Sequence, residues 1–113
     1  MGNVIETKDV LGEDVICSHT AWMGHISYGH SIMKKNLLAV KDTVENPEVI
    51  HKSNQDDQRK VYFKQSSLSS YSMYTKVITK TIGDHKSEIV SAWPQKEIKG
   101  GIGSEIYHEK SSV

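Results

Sequence analysis

The fourteen residues from Cys17 to His30 hold the one cysteine of the chain and three of its six histidines, His19, His25 and His30. Imidazole titrates near neutral pH, so two histidines can supply a base and an acid to one reaction. The same cluster has a second chemistry, metal binding: on an extended segment Cys17 and His19 point the same way, and His25 or His30 would complete three ligands. The spacing disfavours zinc. His25 and His30 lie five residues apart, ~140° around a helix of 3.6 residues per turn, so one helical face cannot present both. Neither a CxxC nor an HExxH pattern is present. No cofactor is implied.

A second group of candidates lies in alternating segments. Lys60, Tyr62 and Lys64 share one face of a strand, with Arg59 one step out of phase, and Lys76 and Lys80 share a face of another. Cationic and phenolic groups on a sheet can hold a phosphate and stabilise charge developing on its oxygens, although alternate lysines also serve simply to solvate an outer sheet face. Ser91 stands within Ile89-Val90-Ser91-Ala92-Trp93-Pro94. A hydroxyl in an apolar strand must find a partner or face a pocket.

The elements that must position these residues follow from periodicity. Asn3 to Asp9 and Glu13 to Ser18 flank Leu11-Gly12, which predicts a hairpin with Val15 and Cys17 on one face and Ile16 on the other. Two helices are expected, roughly over 20–28 and 32–45. Met33, Leu37, Val40 and Val44 form an apolar stripe of helical period that ends at Asn46-Pro47. Short strands follow at 48–51, 59–65, 73–82 and 88–93, the last stopped by Pro94. Lys96 to Val113 is poor in apolar residues, carries Gly100, Gly101 and Gly103, and reads as a loop and frayed tail. The fold class expected is α+β: the N-terminal hairpin and two helices packed on an antiparallel sheet, as one domain over 1–98 with a Gly/Ser-containing flexible tail over 99–113.

Composition bounds the function classes. The 113 residues, 36% of them hydrophobic, suit a single small core. One cysteine cannot form an internal disulfide, and the N-terminal residues lack the pattern of a signal peptide, so a cytoplasmic location without membrane association is expected. Fourteen basic residues balance fourteen acidic ones. Any attraction to nucleic acid must therefore come from a local patch. Arg59 is the sole arginine, which makes bidentate recognition of phosphate scarce.

Read in order, several segments resemble the phage and mobile-element branch of the barnase–EndoU–colicin–RelE-like (BECR) nuclease superfamily. They are Thr20 to His30, Val44 to Ile50, Arg59 to Lys64, Thr75 to Thr79, and Glu88 to Pro94. The resemblance implies a toxin-like endoribonuclease that needs no metal, in which the ribose 2′-hydroxyl attacks the adjacent phosphate. It implies His25 and His30 as acid–base groups, Arg59, Tyr62 and Lys64 as phosphate ligands, and Ser91 as the last-strand hydroxyl. RNA, tRNA among the candidates, is the implied substrate, and a neutralising immunity or antitoxin protein the implied partner. The chain departs from the pattern in two places. Gly29-His30 stands where Arg-His is frequent, and Ser91-Ala92-Trp93 where Thr-Ala-Tyr is frequent. The alternative is a member that keeps the fold as a binding or regulatory protein without catalysis.

Overall fold

The computed structural model describes residues 2–26, 37–66 and 73–109. It is an α+β fold in which seven strands form one sheet. In chain order the strands are β1 (Asn3–Lys8), β2 (Asp14–Ser18), β3 (Val49–Ser53), β4 (Arg59–Ser66), β5 (Met73–Gly83), β6 (Lys86–Gln95) and β7 (Ile102–His108). Across the sheet their order is β1-β2-β6-β5-β4-β3-β7. Every neighbouring pair is antiparallel except β2 and β6, which run parallel from Asp14 beside Lys86 to Ile16 beside Glu88. The expectation of a purely antiparallel sheet is corrected on this point: local alternation reveals a strand but not its partner's direction.

The N-terminal hairpin forms as its alternation requires, and it belongs to the sheet itself instead of packing on it. Asp9 closes its turn, its Oδ1 accepting the backbone N–H groups of Leu11 and Glu13 at 2.9 Å each. In the middle of the sheet β4, β5 and β6 form a meander. His85 turns the chain between β5 and β6 with φ +55°. Strand β6 runs through Pro94 to Gln95, beyond the predicted stop. Its pairing with β2 is registered only as far as Glu88, so among the described residues β6 has a strand partner on one side only at Pro94, the edge setting in which strands tolerate proline.

One regular helix is described, α2 (Leu37–Glu45). It ends where Asn46 donates its backbone N–H to the Asp42 carbonyl (2.8 Å) and its side-chain amide to the Asp42 carboxylate (3.0 Å). Val40 and Val44 of the predicted stripe are fully buried, and Leu37 packs half-buried against the same cluster; Met33 lies outside the described residues. In place of a first regular helix there is a single turn, α1 (His19–Ala21), capped by the Ser18 hydroxyl accepting from the Ala21 N–H at 3.0 Å. A π-helical turn over Trp22–Ile26 continues it.

The sheet is covered on both faces. On the helix face, Ile5, Val15, Cys17, Ile50, Tyr62, Val77, Ile89 and Ala92 pack with Trp22, Val40 and Val44. On the outer face a smaller cluster forms from Val49, Val61 and Phe63, with Tyr74, Ile78, Ile98 and Ile102 against it. The last two residues belong to the segment predicted to be a frayed tail. That reading is corrected: Ile102–His108 is β7, paired antiparallel to β3. Register shifts in that pairing at Ile50/His51 and His51/Ser53 break the alternation by which β7 would have been read.

Candidate functional site on the outer sheet face

Alternation and register decide which of the candidate residues meet. In β4, Lys60, Tyr62 and Lys64 point to the helix face, and Arg59, Val61 and Phe63 to the outer face. In β6, the pairing of Ile78 with Ser91 and of Val61 with Ile78 puts Ser91 on the outer face with Val61. A register shift between Ile78 and Thr79 leaves Val90 as the extra residue of a bulge, so Ile89 and Ser91 take opposite faces.

The candidates thereby fall into two groups. Tyr62 is fully buried, and its hydroxyl donates to Asp9 Oδ2 at 2.6 Å. Burial, followed by the bond to Asp9, pushes its pKa far above that of a free phenol. Lys64 donates to Asp42 Oδ2 at 2.5 Å, tying β4 to α2. The Lys64 hydrogen bond is the main cause that holds the Asp42 carboxyl below its usual range. Both side chains serve the interior and the helix, away from Ser91. Lys60 is likewise occupied, paired with Glu13 with one contact at 2.7 Å.

Arg59 and Ser91, in contrast, line one cavity of about 480 Å³ together with Ala21, Glu88, Ile89 and Val90. Ala21 is the last residue of α1, so the segment that carries His25 begins at the cavity wall. The side chain of His25 and the whole of His30 lie outside the described residues. Ser91 is half-buried. Arg59 Nε is buried, lies 3.5 Å from the Asp56 carboxylate and makes no hydrogen bond among the described residues. Such a site offers a guanidinium, a hydroxyl and the carboxylate of Glu88 to one ligand.

Arg59 also borders a second cavity of about 240 Å³, lined by Lys76 and Trp93 among others. Lys76, which alternation marks as a solvated lysine, is 3% exposed. Its ammonium donates to the carbonyls of Lys99 (3.0 Å) and Gly100 (2.9 Å) and sits 4.8 Å from the centre of the Trp93 ring and 5.7 Å from that of Phe63. Burial lowers its basicity. Gly100 adopts φ +90°, and a Cβ there would lie 2.9 Å from Lys76 Nζ, so glycine is required for the chain to pass this close. Glu88 is the residue that sequence reasoning missed, and Lys76, named there among the alternating cations, is buried where alternation alone left it open to solvent. Alternation alone puts Glu88 and Ser91, three residues apart, on opposite faces, and only the bulge at Val90 brings them to one; the segment that covers Lys76 was not legible either.

The other members of the cysteine–histidine cluster are placed differently. Cys17 is buried on the helix face, where burial, with a smaller contribution from Glu88, pushes its thiol up to about 11. A protonated, buried thiol is a poor metal ligand. Among the described residues no group of three or more His, Cys, Asp or Glu is arranged to hold a metal ion. Nor is any described helix long and apolar enough to cross a membrane. Comparison with family models, with curated proteins and with solved structures returns no match for the chain.

Proposed function

We propose that this chain is an RNA-binding domain that cleaves RNA by 2′-hydroxyl transesterification, with its site in the larger cavity, at the edge of β6 where its pairing with β2 ends. The observation that carries the reading is the meeting of Ala21, Arg59, Glu88 and Ser91 around one cavity. The chemistry needs a base for the 2′-hydroxyl, an acid for the departing 5′-oxygen and a cation for the charge on the phosphorus-bound oxygens. In this reading Arg59 holds the phosphate through its planar fork of N–H donors and Ser91 donates to a phosphate oxygen. The proton transfers fall to His25 or His30, from the segment that starts at Ala21, with the Glu88 carboxylate as the second group. The BECR resemblance agrees with this reaction, with a cytoplasmic site of action and with neutralisation by a partner protein. Tyr62 and Lys64 enter the proposal as structural residues, because their polar atoms are engaged by Asp9 and Asp42.

The test is incubation of the purified protein with total RNA in the presence of EDTA. Discrete fragments ending in 2′,3′-cyclic phosphate are expected, because attack by the 2′-hydroxyl closes that ring. Replacing the acid–base histidine by alanine should lower cleavage by about 10²–10⁴-fold. If the parent protein, folded, yields no fragments under any condition, the cleavage mechanism is wrong and binding without catalysis is the better description.

A further inference from the structure

We infer that the smaller cavity of the outer face is a phosphate-binding pocket, with Lys76 and Arg59 as its cations. Lys76 is the first reason. An ammonium group has three N–H donors, and two of them reach the carbonyls of Lys99 and Gly100. Among the described residues no carboxylate comes within 4 Å of it, whereas Lys8, Lys41, Lys60, Lys64 and Lys99 each have one. A cation buried to this depth is costly unless an anion compensates it. Carbonyl dipoles and ring faces supply only part of that compensation.

The lining is the second reason. Acidic residues equal basic ones in this chain, yet no Asp or Glu lines this cavity. Arg59, Ser53 and Gln55 bring a guanidinium, a hydroxyl and an amide to its wall, all able to donate to an oxyanion. The larger cavity includes Glu88, and a third on the hairpin side mixes Glu6 and Asp14 with Lys8 and Lys86. Of these three cavities, only the one at Lys76 is lined by cations without a carboxylate. Asp56, beside Arg59 Nε, offsets that residue in part and, among the described residues, forms no ion pair with Lys76. A tetrahedral oxyanion suits two cations that approach from different strands, β4 and β5, better than a planar carboxylate does.

The pocket stands without catalysis. Its assignment to a second phosphate along an RNA strand rests on the RNA reading, and on Arg59 bordering both cavities. The test is an amide-shift titration of the whole chain by NMR with inorganic phosphate, and with acetate at equal ionic strength. Saturable shifts at Lys76, Gly100, Gly101 and Gln55 with phosphate alone are expected. Lys76→Met should weaken phosphate binding by roughly ten- to a hundredfold. Gln55→Ala, at an exposed position, should weaken it by roughly three- to tenfold with the fold intact, which keeps the test decisive if Lys76→Met fails to fold. Absence of shifts at these amides, or equal shifts with acetate, overturns the pocket. A trinucleotide with and without a 5′-phosphate separates the sources: tighter binding of the phosphorylated form assigns the pocket to a strand end, and equal binding to an internal phosphodiester. Binding of AMP and of neither trinucleotide leaves the pocket standing and removes the RNA reading.

Discussion

Tyr62→Phe tests whether Tyr62 is a structural residue locked to Asp9 or a group held ready for a ligand. The substitution removes one oxygen from a site with no solvent exposure. Asp9 Oδ1 would keep its two backbone donors, while Oδ2 would lose the hydroxyl at 2.6 Å. A hydrogen bond to a charged group contributes about 1.5–3 kcal/mol net, so a loss of about 2 kcal/mol is expected near pH 8. The pH dependence sharpens the test. In the folded state Tyr62 keeps its proton well above the pH at which a free phenol loses it, through burial and then through Asp9. Below a free value of ~10 the hydroxyl is protonated in both folded and unfolded chains, and its contribution is fully present. Above ~10 the unfolded chain loses a proton that the folded chain retains. The parent should therefore lose about 1.4 kcal/mol of stability per pH unit from this residue, a loss that Tyr62→Phe cannot show. Urea titrations of both proteins at pH 8 and pH 11 measure the difference directly, and the other tyrosines and lysines cancel in the comparison. The gap of about 2 kcal/mol should shrink to about 0.6 kcal/mol at pH 11. A phenylalanine variant as stable as the parent at pH 8, or a gap that does not change with pH, would refute the reasoning.

Val44→Ala opens a space between α2 and the sheet where the side chain is fully buried; about 2 kcal/mol of stability should be lost, measurable by thermal or urea unfolding. Gly100→Ala combines a backbone at φ +90° with a Cβ 2.9 Å from the Lys76 ammonium. It should cost about 1–2 kcal/mol and displace the Lys76 side-chain resonances, and an unchanged melting temperature would exclude that close approach. Arg59→Gln should reduce RNA binding measured by fluorescence anisotropy by about tenfold or more, whereas Lys64→Gln, on the opposite face, should leave it within about twofold.

Elements built from local contacts were legible in the sequence. The hairpin, the α2 stripe and the alternation of β4 and β5 each follow from side-chain period, and the faces assigned to Val15, Cys17, Tyr62 and Phe63 match the structure. The parallel pairing of β2 with β6 was hidden because nothing in either strand encodes the direction of its neighbour. Strand β7 was hidden by Gly103 within it, by Gly100 and Gly101 just before it, and by the register shifts opposite His51. The candidate site was half legible for the same reason. Parity puts Arg59 out of phase with Lys60, Tyr62 and Lys64, but grouping it with Ser91 requires the register of three strands and the bulge at Val90. Lys76 read as a solvated lysine only while residues 96–102 read as a tail. Once Ile98 and Ile102 pack on the outer face, that lysine is enclosed.

The parallel contact between β2 and β6 also governs when the fold can close. Asp14 pairs with Lys86, and the hairpin that precedes it has no other neighbour across the sheet. During synthesis the hairpin precedes β6 by some seventy residues, so its inner edge must wait until those have followed. A two-stranded ribbon is at best marginally stable alone in water. Trp22 and the α2 valines can cover Ile5, Val15 and Cys17 once residue 45 is made, but the inner edge of β2 stays unpaired until β6 follows. Contacts this distant in sequence raise the contact order and place folding toward the millisecond-to-second range instead of microseconds. A nascent chain stalled before Lys86 would carry an unpaired strand edge, which makes it a substrate for chaperones and an aggregation hazard until β6 arrives.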